Sequence, residues 1–106
     1  MCVNIGQKIS VTSDHKIMTA AFSNKYRLVA TCDRINQVKI FDSDGSEKLR
    51  VQLDETDELL MLELYNDELV VGSKEGIVRV YGLLFNKSNR LRGMRLNRIV
   101  RCCWEG

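Results

Sequence analysis

The chain carries one short pattern twice, about forty residues apart. Residues 30–42, ATCDRINQVKIFD, and residues 72–82, GSKEGIVRVYG, each join a turn-forming stretch to an apolar, strand-like run. Phe41 and Tyr81 lie 40 positions apart in the same context. A repeat of this length predicts a chain built from stacked supersecondary units, each of which buries its apolar side against a neighbour.

Short runs of β-branched and aromatic residues predict strands in both units. In QVKIF and IVRVY a charged residue alternates with apolar ones, as expected for a strand with one buried face. Clusters of Gly, Asn, Asp and Ser separate the runs and predict turns. The predicted strands are 26–32, 37–42, 68–73 and 77–81. Each unit thus shows two clear strands, and a period of about forty residues leaves room for the four short strands of a β-propeller blade.

Residues 54–64, DETDELLMLEL, have a composition that also suits a helix. We expect a strand over their apolar part, because the repeat requires one there. The acidic residues Asp54, Glu55, Asp57 and Glu58 match no calcium-loop spacing, which favours a solvated connection.

Gly76 follows a strand-like run and precedes another. The stretch GSKEG lacks the spacing of a phosphate-binding P-loop, and no helix is predicted after it. Gly76 is therefore predicted to be the positive-φ residue of a tight hairpin, and Gly45 in Ser43-Asp44-Gly45 is interpreted in the same way.

Residues 15–42 resemble a WD40 repeat. The resemblance rests on His15, an apolar strand ending in Phe-Ser, the LVATC strand, and Phe41-Asp42 at the position of the closing Trp-Asp pair. Residues 59–82 resemble the same pattern and close on Tyr81-Gly82, and residues 98–106 resemble the opening strand of a third repeat. The resemblance implies an all-β fold of antiparallel four-stranded blades, a partial WD40-like β-propeller of about two blades with flanking strands.

This resemblance divides the chain into four parts. We expect residues 1–12 to form the end strand of a preceding blade, 13–53 one blade, 54–97 a second, and 98–106 the first strand of a next blade. Two blades leave two open faces. The chain is therefore expected to be part of a larger propeller, to form a homo-oligomer, or to be completed by another propeller segment.

In WD40 blades a His, a Ser or Thr, an Asp and the closing Trp form a buried hydrogen-bonded set. The resemblance therefore implies a structural network, although Phe41 has no ring donor in place of the Trp. The candidates for this network are His15, Thr31, Asp33, Ser73 and Glu75. His15 is expected to be structural, and no catalytic residue is predicted.

Bulk properties exclude several classes of protein. The 106 residues contain 44% apolar and 28% charged residues, which is typical of a globular domain, and the net charge of +2 is small. No apolar run is long enough to span a bilayer, and the first ten residues lack the apolar stretch of a signal peptide, so we expect a cytoplasmic or nuclear protein. The four cysteines, Cys2, Cys32, Cys102 and Cys103, lack zinc or redox spacing and are expected to be free thiols, with no metal or cofactor.

The residues support a binding function rather than catalysis. No nucleophile, base and orienting group stand at a credible spacing, so we expect a non-catalytic scaffold that binds partner proteins. Tyr26 and Tyr65 are candidate contact residues. The alternative is binding of nucleic acid or an anionic lipid such as a phosphoinositide through the basic segment 87–101. Its candidate residues are Lys87, Arg90, Arg92, Arg95, Arg98 and Arg101.

The salt dependence of binding to an acidic polymer separates these two hypotheses. For a protein-binding scaffold, the affinity for the acidic polymer is expected to be the same at two salt concentrations. Binding through residues 87–101 would instead give a steep salt slope that is lost in the Arg92→Glu, Arg95→Glu double variant. We expect no change in affinity.

Overall fold

A computed structural model describes residues 2–5, 9–12, 15–53 and 58–101, with side chains placed from residue 15 onward. These residues form ten β-strands and no helix. None of them therefore contributes a helix that could cross a membrane.

The strands form one two-stranded hairpin and two four-stranded antiparallel sheets. The hairpin pairs β1 (Cys2–Ile5) with β2 (Ile9–Thr12). The first sheet contains β3 (Ile17–Ser23), β4 (Leu28–Asp33), β5 (Gln37–Phe41) and β6 (Glu47–Gln52) in that order. The second contains β7 (Leu59–Tyr65), β8 (Glu68–Ser73), β9 (Ile77–Phe85) and β10 (Leu91–Arg101). These two meanders confirm the predicted all-β, four-stranded blade architecture.

The strand periodicity places alternate side chains on opposite faces of each sheet. In β8, Leu69 and Val71 point towards the first sheet and are fully buried, whereas Val70 points away and is half-buried. In β7, Leu62 and Leu64 are buried and Tyr65 is exposed. This alternation explains why residues 59–64 form a strand, as predicted, and not a helix.

The core lies between the two sheets. Its largest fully buried members include Val38 and Ile40 from the first sheet and Leu59, Leu69 and Val71 from the second. The first strands, β3 and β7, lie side by side, whereas the fourth strands, β6 and β10, touch only sparsely. The sheets therefore fan out from their first strands, as neighbouring propeller blades do.

The two sheets stack with the same orientation: the face of the first sheet that packs on the second corresponds to the outer face of the second sheet. Ala30 and Cys32 of the first sheet lie in the inter-sheet core, but the residues forty positions later, Val70 and Gly72, lie on the outer face of the second sheet. Tyr81 lies in the core, but its counterpart Phe41 packs with Val29 on the far face of the first sheet. Equivalent faces therefore point the same way, so each sheet has two different packing surfaces.

The far face of the first sheet is buried. Thr31, Asp33 and Lys39 lie there at 2–3% exposure, beside Val29 and Phe41. We expected an open face on each of the two blades, but in the described structure the far face of the first sheet is buried, whereas the outer face of the second sheet is open.

Four hairpin turns of one design connect the strands. In each, the first residue accepts a backbone hydrogen bond from the N–H three residues later, at 3.0–3.1 Å, and that later residue has a positive φ. We call these segments, residues 33–37, 42–46, 73–77 and 86–90, the acceptor turns. The positive-φ residues are Asn36, Gly45, Gly76 and Asn89, so the prediction for Gly45 and Gly76 is confirmed.

A side-chain oxygen also closes each acceptor turn. Asp33 Oδ1 accepts the backbone N–H groups of Ile35 and Gln37, both at 3.0 Å. Ser73 Oγ accepts the N–H of Ile77 at 3.2 Å. The side chain at the first position thus replaces hydrogen bonds that the strand ladder cannot supply at the turn.

Two predicted boundaries need correction. Residues 1–12 were predicted to form one end strand, but Cys2–Ile5 and Ile9–Thr12 pair with each other as two antiparallel strands. Residues 98–101 do not open a next blade. They continue β10, because a register shift between Leu96 and Arg98 lets Ile99 and Val100 keep pairing with β9. Residues 102–106 lie outside the described part of the chain.

Replacement of Asp33 by alanine is expected to lower the free energy of unfolding by about 1–3 kcal/mol, because two N–H groups at a buried carboxylate lose their acceptor. Asp33→Asn keeps one oxygen acceptor and should recover most of this loss. Urea unfolding of the three proteins measures the difference.

The matched control is Asp42→Ala, which removes the same pair of hydrogen bonds at an exposed turn where water can replace them. An equal loss of stability in Asp42→Ala and Asp33→Ala would contradict this explanation.

Candidate functional site

A pocket of about 650 Å³ opens between the two sheets at one end. Three turns surround it: the β3–β4 turn of the first sheet and the acceptor turns 42–46 and 86–90, one from each sheet. Both acceptor turns join the third and fourth strands of their sheets. Because the sheets fan out, these turns stand apart and leave space between them.

Tyr26 forms the wall of this pocket and joins the two sheets. Its ring stacks on Phe85 with 4.4 Å between ring centroids and an interplanar angle of 23°. Its hydroxyl donates a hydrogen bond to Asp67 in the β7–β8 turn. Lys25 lies 3.7 Å from the same carboxylate, and hydrogen bonding to Tyr26, followed by the charge of Asp67, raises the pKa of Lys25. Tyr26, one of the two candidate contact tyrosines, is thus half-buried.

The first-sheet side of the pocket carries Asp42, Asp44 and Lys48. Asp42 Oδ1 accepts the N–H groups of Asp44 and Ser46 at 3.1 and 3.2 Å, and Asp42 Oδ2 lies 3.2 Å from Lys48 Nζ. Hydrogen bonds with the Asp42 side chain and then with Ser46 lower the pKa of Asp44 to about 2. The Asp44 carboxylate therefore stays ionised at neutral pH.

The second-sheet side carries the arginines. Asn86 Oδ1 accepts the backbone N–H groups of Ser88 and Arg90, both at 2.9 Å, and fixes the turn from which Arg90 projects. Arg92 follows near the start of β10, and both side chains are exposed. Within residues 15–53 and 58–101, neither guanidinium forms an ion pair.

The outer face of the second sheet is a second candidate site. Four of its side chains are large, apolar and 40–65% exposed: Met61, Tyr65, Leu84 and Val100. Tyr65, a predicted contact residue, is the most exposed of them. Met61 lies across Gly72, where an added Cβ would stand 3.1 Å from the Met61 Cε. A glycine there lets the methionine lie flat on the sheet.

The structure divides the basic segment 87–101 between several surfaces. Lys87 and Arg90 lie in an acceptor turn, with Arg92 beside the same pocket. Pairing with Gly82 and Val80 places Arg95 and Arg98 on the outer face, where Arg98 lies 3.8 Å from Glu68. Arg101 ends β10. The six candidates are all exposed but do not form one continuous stripe.

The five structural-network candidates lie in different surroundings. Thr31 and Asp33 are buried, Ser73 is half-buried, and His15 and Glu75 are exposed. Asp33 and Ser73 do share one role, since both close acceptor turns, but they belong to different sheets. Asp33 Oδ2 is buried without a hydrogen-bond partner among the described residues.

The sequence analysis missed the role of Asn36, Asn86 and Asn89 in the acceptor turns. A signal for them exists, because an Asp, Asn or Ser stands three residues before a Gly or Asn in all four turns. Outside glycine, asparagine is among the residues that adopt positive φ most readily.

Cys32 is the cysteine whose surroundings the structure describes, and it is a buried free thiol as predicted. Burial, followed by the charge of Asp33, raises its pKa to about 11. The predictions for Cys2, Cys102 and Cys103 concern side chains outside the described part. Within residues 15–53 and 58–101, no three His, Cys, Asp or Glu side chains come together in a group that could hold a metal ion.

Comparison with known proteins shows the fold. No protein-family model and no curated protein matches the chain. Four chains of solved structures match it, among them the crystal structure of Kluyvelomyces marxianus Hsv2, a β-propeller protein, with a TM-score of 0.54 and 11% sequence identity. The match covers 88% of this chain and 49% of Hsv2, so the chain spans about half the length of that protein. The fold is that of part of a β-propeller.

Alkylation of Cys32 by iodoacetamide at pH 8 is expected to be at least about 100-fold slower in the folded protein than in urea. The thiolate is the form that reacts. The pKa of the Cys32 thiol is about 11 in the folded protein, against 9.0 for a free thiol, so little thiolate is present. Trypsin releases Cys32 in the peptide 28–34, apart from the other cysteines. Mass spectrometry of this peptide measures the rate. Equal rates with and without urea would show that the thiol is accessible.

Proposed function

We propose that this chain is a non-catalytic protein-binding module of the β-propeller type, and that the outer face of its second sheet binds a further blade. The observation that carries this proposal is the exposure of Met61, Tyr65, Leu84 and Val100 together on that face. Exposed apolar groups concentrated on one surface mark a site of association.

The way the two sheets stack supports a further blade as the partner of the outer face. The first sheet uses Ala30, Cys32, Val38 and Ile40 to pack on the second. The residues forty positions later are Val70, Gly72, Val78 and Val80, which are apolar or small and lie on the outer face. A surface equivalent to one that already binds a blade is suited to bind another.

Energetics favour covering this face. Full burial of a large apolar side chain stabilises by about 1.5–3 kcal/mol, so covering four that are roughly half exposed contributes about 1 kcal/mol each. Charged residues on the same face, Glu63, Arg95 and Arg98, add selectivity, because a partner must offer charges of matching sign.

The proposed partner is a blade from another propeller segment. The far face of the first sheet, which would pack against the outer face if copies stacked in the same direction, is already buried. A second copy can therefore contact the outer face only with its own outer face. We expect the isolated chain to associate in this way when the partner blade is absent.

Binding of an anionic polymer by residues 87–101 is the weaker candidate. The six basic side chains are exposed, which this function requires, but they are distributed over a turn, a pocket rim and the outer face. A polymer backbone is best bound by a continuous row of cations.

The isolated chain is expected to self-associate as its concentration rises, and Leu84→Asp is expected to abolish this by placing a charge in the apolar face. Sedimentation velocity measures both. The control is Ile35→Asp, which makes the same change at a side chain of similar exposure, 44% against 40%, in an acceptor turn away from the outer face. A stable monomer at all concentrations, or equal effects of the two variants, would contradict the proposal.

A further inference from the structure

The pocket between the sheets pairs an apolar wall with two arginines. Leu28 and Leu91 continue the surface that begins with the stacked rings of Tyr26 and Phe85. The Tyr26 hydroxyl is bonded to Asp67, so this wall is held in place from both sheets. A fixed apolar wall binds an apolar side chain without a large cost in ordering the site.

The charged groups of the first-sheet side are already engaged. Asp42 closes its acceptor turn and lies beside Lys48, and Asp44 Oδ1 accepts the Ser46 N–H at 2.8 Å. The ionised Asp44 carboxylate repels a ligand that carries several negative charges. It confines any bound anion to the opposite side of the pocket.

Arg90 and Arg92 are the cations left for a ligand. Neither forms an ion pair within residues 15–53 and 58–101, and the turn that carries Arg90 is fixed by Asn86. A guanidinium binds a carboxylate through two parallel hydrogen bonds, which makes arginine well suited to a single carboxylate beside an apolar surface.

We propose that this pocket binds a short peptide segment in which an acidic residue stands next to a bulky apolar residue. The acidic side chain pairs with Arg90 and Arg92, and the apolar side chain lies on the wall formed by Tyr26, Phe85 and Leu91. The inference rests on the proposed function, since it names a protein segment as ligand, but it uses a surface on the opposite side of the second sheet.

The charge balance favours a peptide over a phosphate-rich ligand. The lining contains three cations, Lys48, Arg90 and Arg92, and two carboxylates, a net of one positive charge. One carboxylate neutralises this excess, whereas a phosphomonoester brings further negative charge close to Asp42 and Asp44.

Fluorescence anisotropy with three labelled peptides tests the inference. The first contains Glu-Phe between glycine and serine residues, the second contains Gln-Phe, and the third contains Glu-Ser. We expect the first to bind about tenfold more tightly than either of the others, because each of them lacks one half of the recognition. Equal affinities of the three peptides, or no binding of the first, would overturn the proposal.

Protein variants locate the binding. Arg90→Gln with Arg92→Gln is expected to weaken binding of the first peptide about tenfold or more, because the carboxylate loses both partners. Lys87→Gln is the matched control, since Lys87 is an exposed cation of the same turn that does not line the pocket, and should change the affinity less than about twofold. An equal loss in both proteins would show diffuse attraction by charge.

Two further measurements separate the alternatives. Binding to vesicles of anionic phospholipid that depends on Arg90 and Arg92, with no binding of the peptide, would assign the pocket to a lipid surface and overturn the proposal. Sedimentation of the arginine variants should match that of the unchanged protein. If the unchanged protein does not bind the first peptide but Leu84→Asp alters sedimentation, only the pocket is rejected. If the peptide binds but Leu84→Asp leaves sedimentation unchanged, only the outer face is rejected.

Discussion

Burial of two facing apolar surfaces holds this fold together. Each sheet has only four short strands, too few to enclose a core alone, so Val38 and Ile40 are buried only where they meet Leu69 and Val71. The contact is closest between the first strands, β3 and β7, and it weakens towards the fourth strands. This divergence creates the pocket between the acceptor turns. The same contact uses one face of the second sheet and leaves the other open.

Stacking in the same orientation gives the two faces of a sheet different partners. Ala30 packs inward while Val70, its counterpart in the repeat, faces outward, and Phe41 and Tyr81 differ in the opposite sense. An interface of this head-to-tail kind does not close on itself as a symmetric dimer interface does. Repeated interfaces of this kind close into a ring where the rotation between units allows it, and the β-propeller protein to which this chain is similar along half its length has that architecture.

Strand and turn positions were predictable from the sequence because they depend on local chemistry. The β8 strand, Glu68–Ser73, and the positive φ of Gly76 follow directly from β-branched residues and a turn glycine. The face on which each residue lies was not predictable, since a shift of one position in register inverts it. The pocket was missed for the same reason. Tyr26, Asp67 and Phe85 come from distant parts of the sequence, and only the packing of two sheets brings them together.

In two of the acceptor turns, the residues that stabilise the hairpin differ from the residues at its tip. In the turns 33–37 and 86–90 the first residue supplies the side-chain acceptors and the fourth supplies the unusual backbone angle, so the second and third side chains serve neither purpose. Pairs such as Arg34 and Ile35, or Lys87 and Ser88, are free to change without disturbing the strands on either side. The two residues at such a tip can therefore be exchanged while the sheets beneath it stay the same.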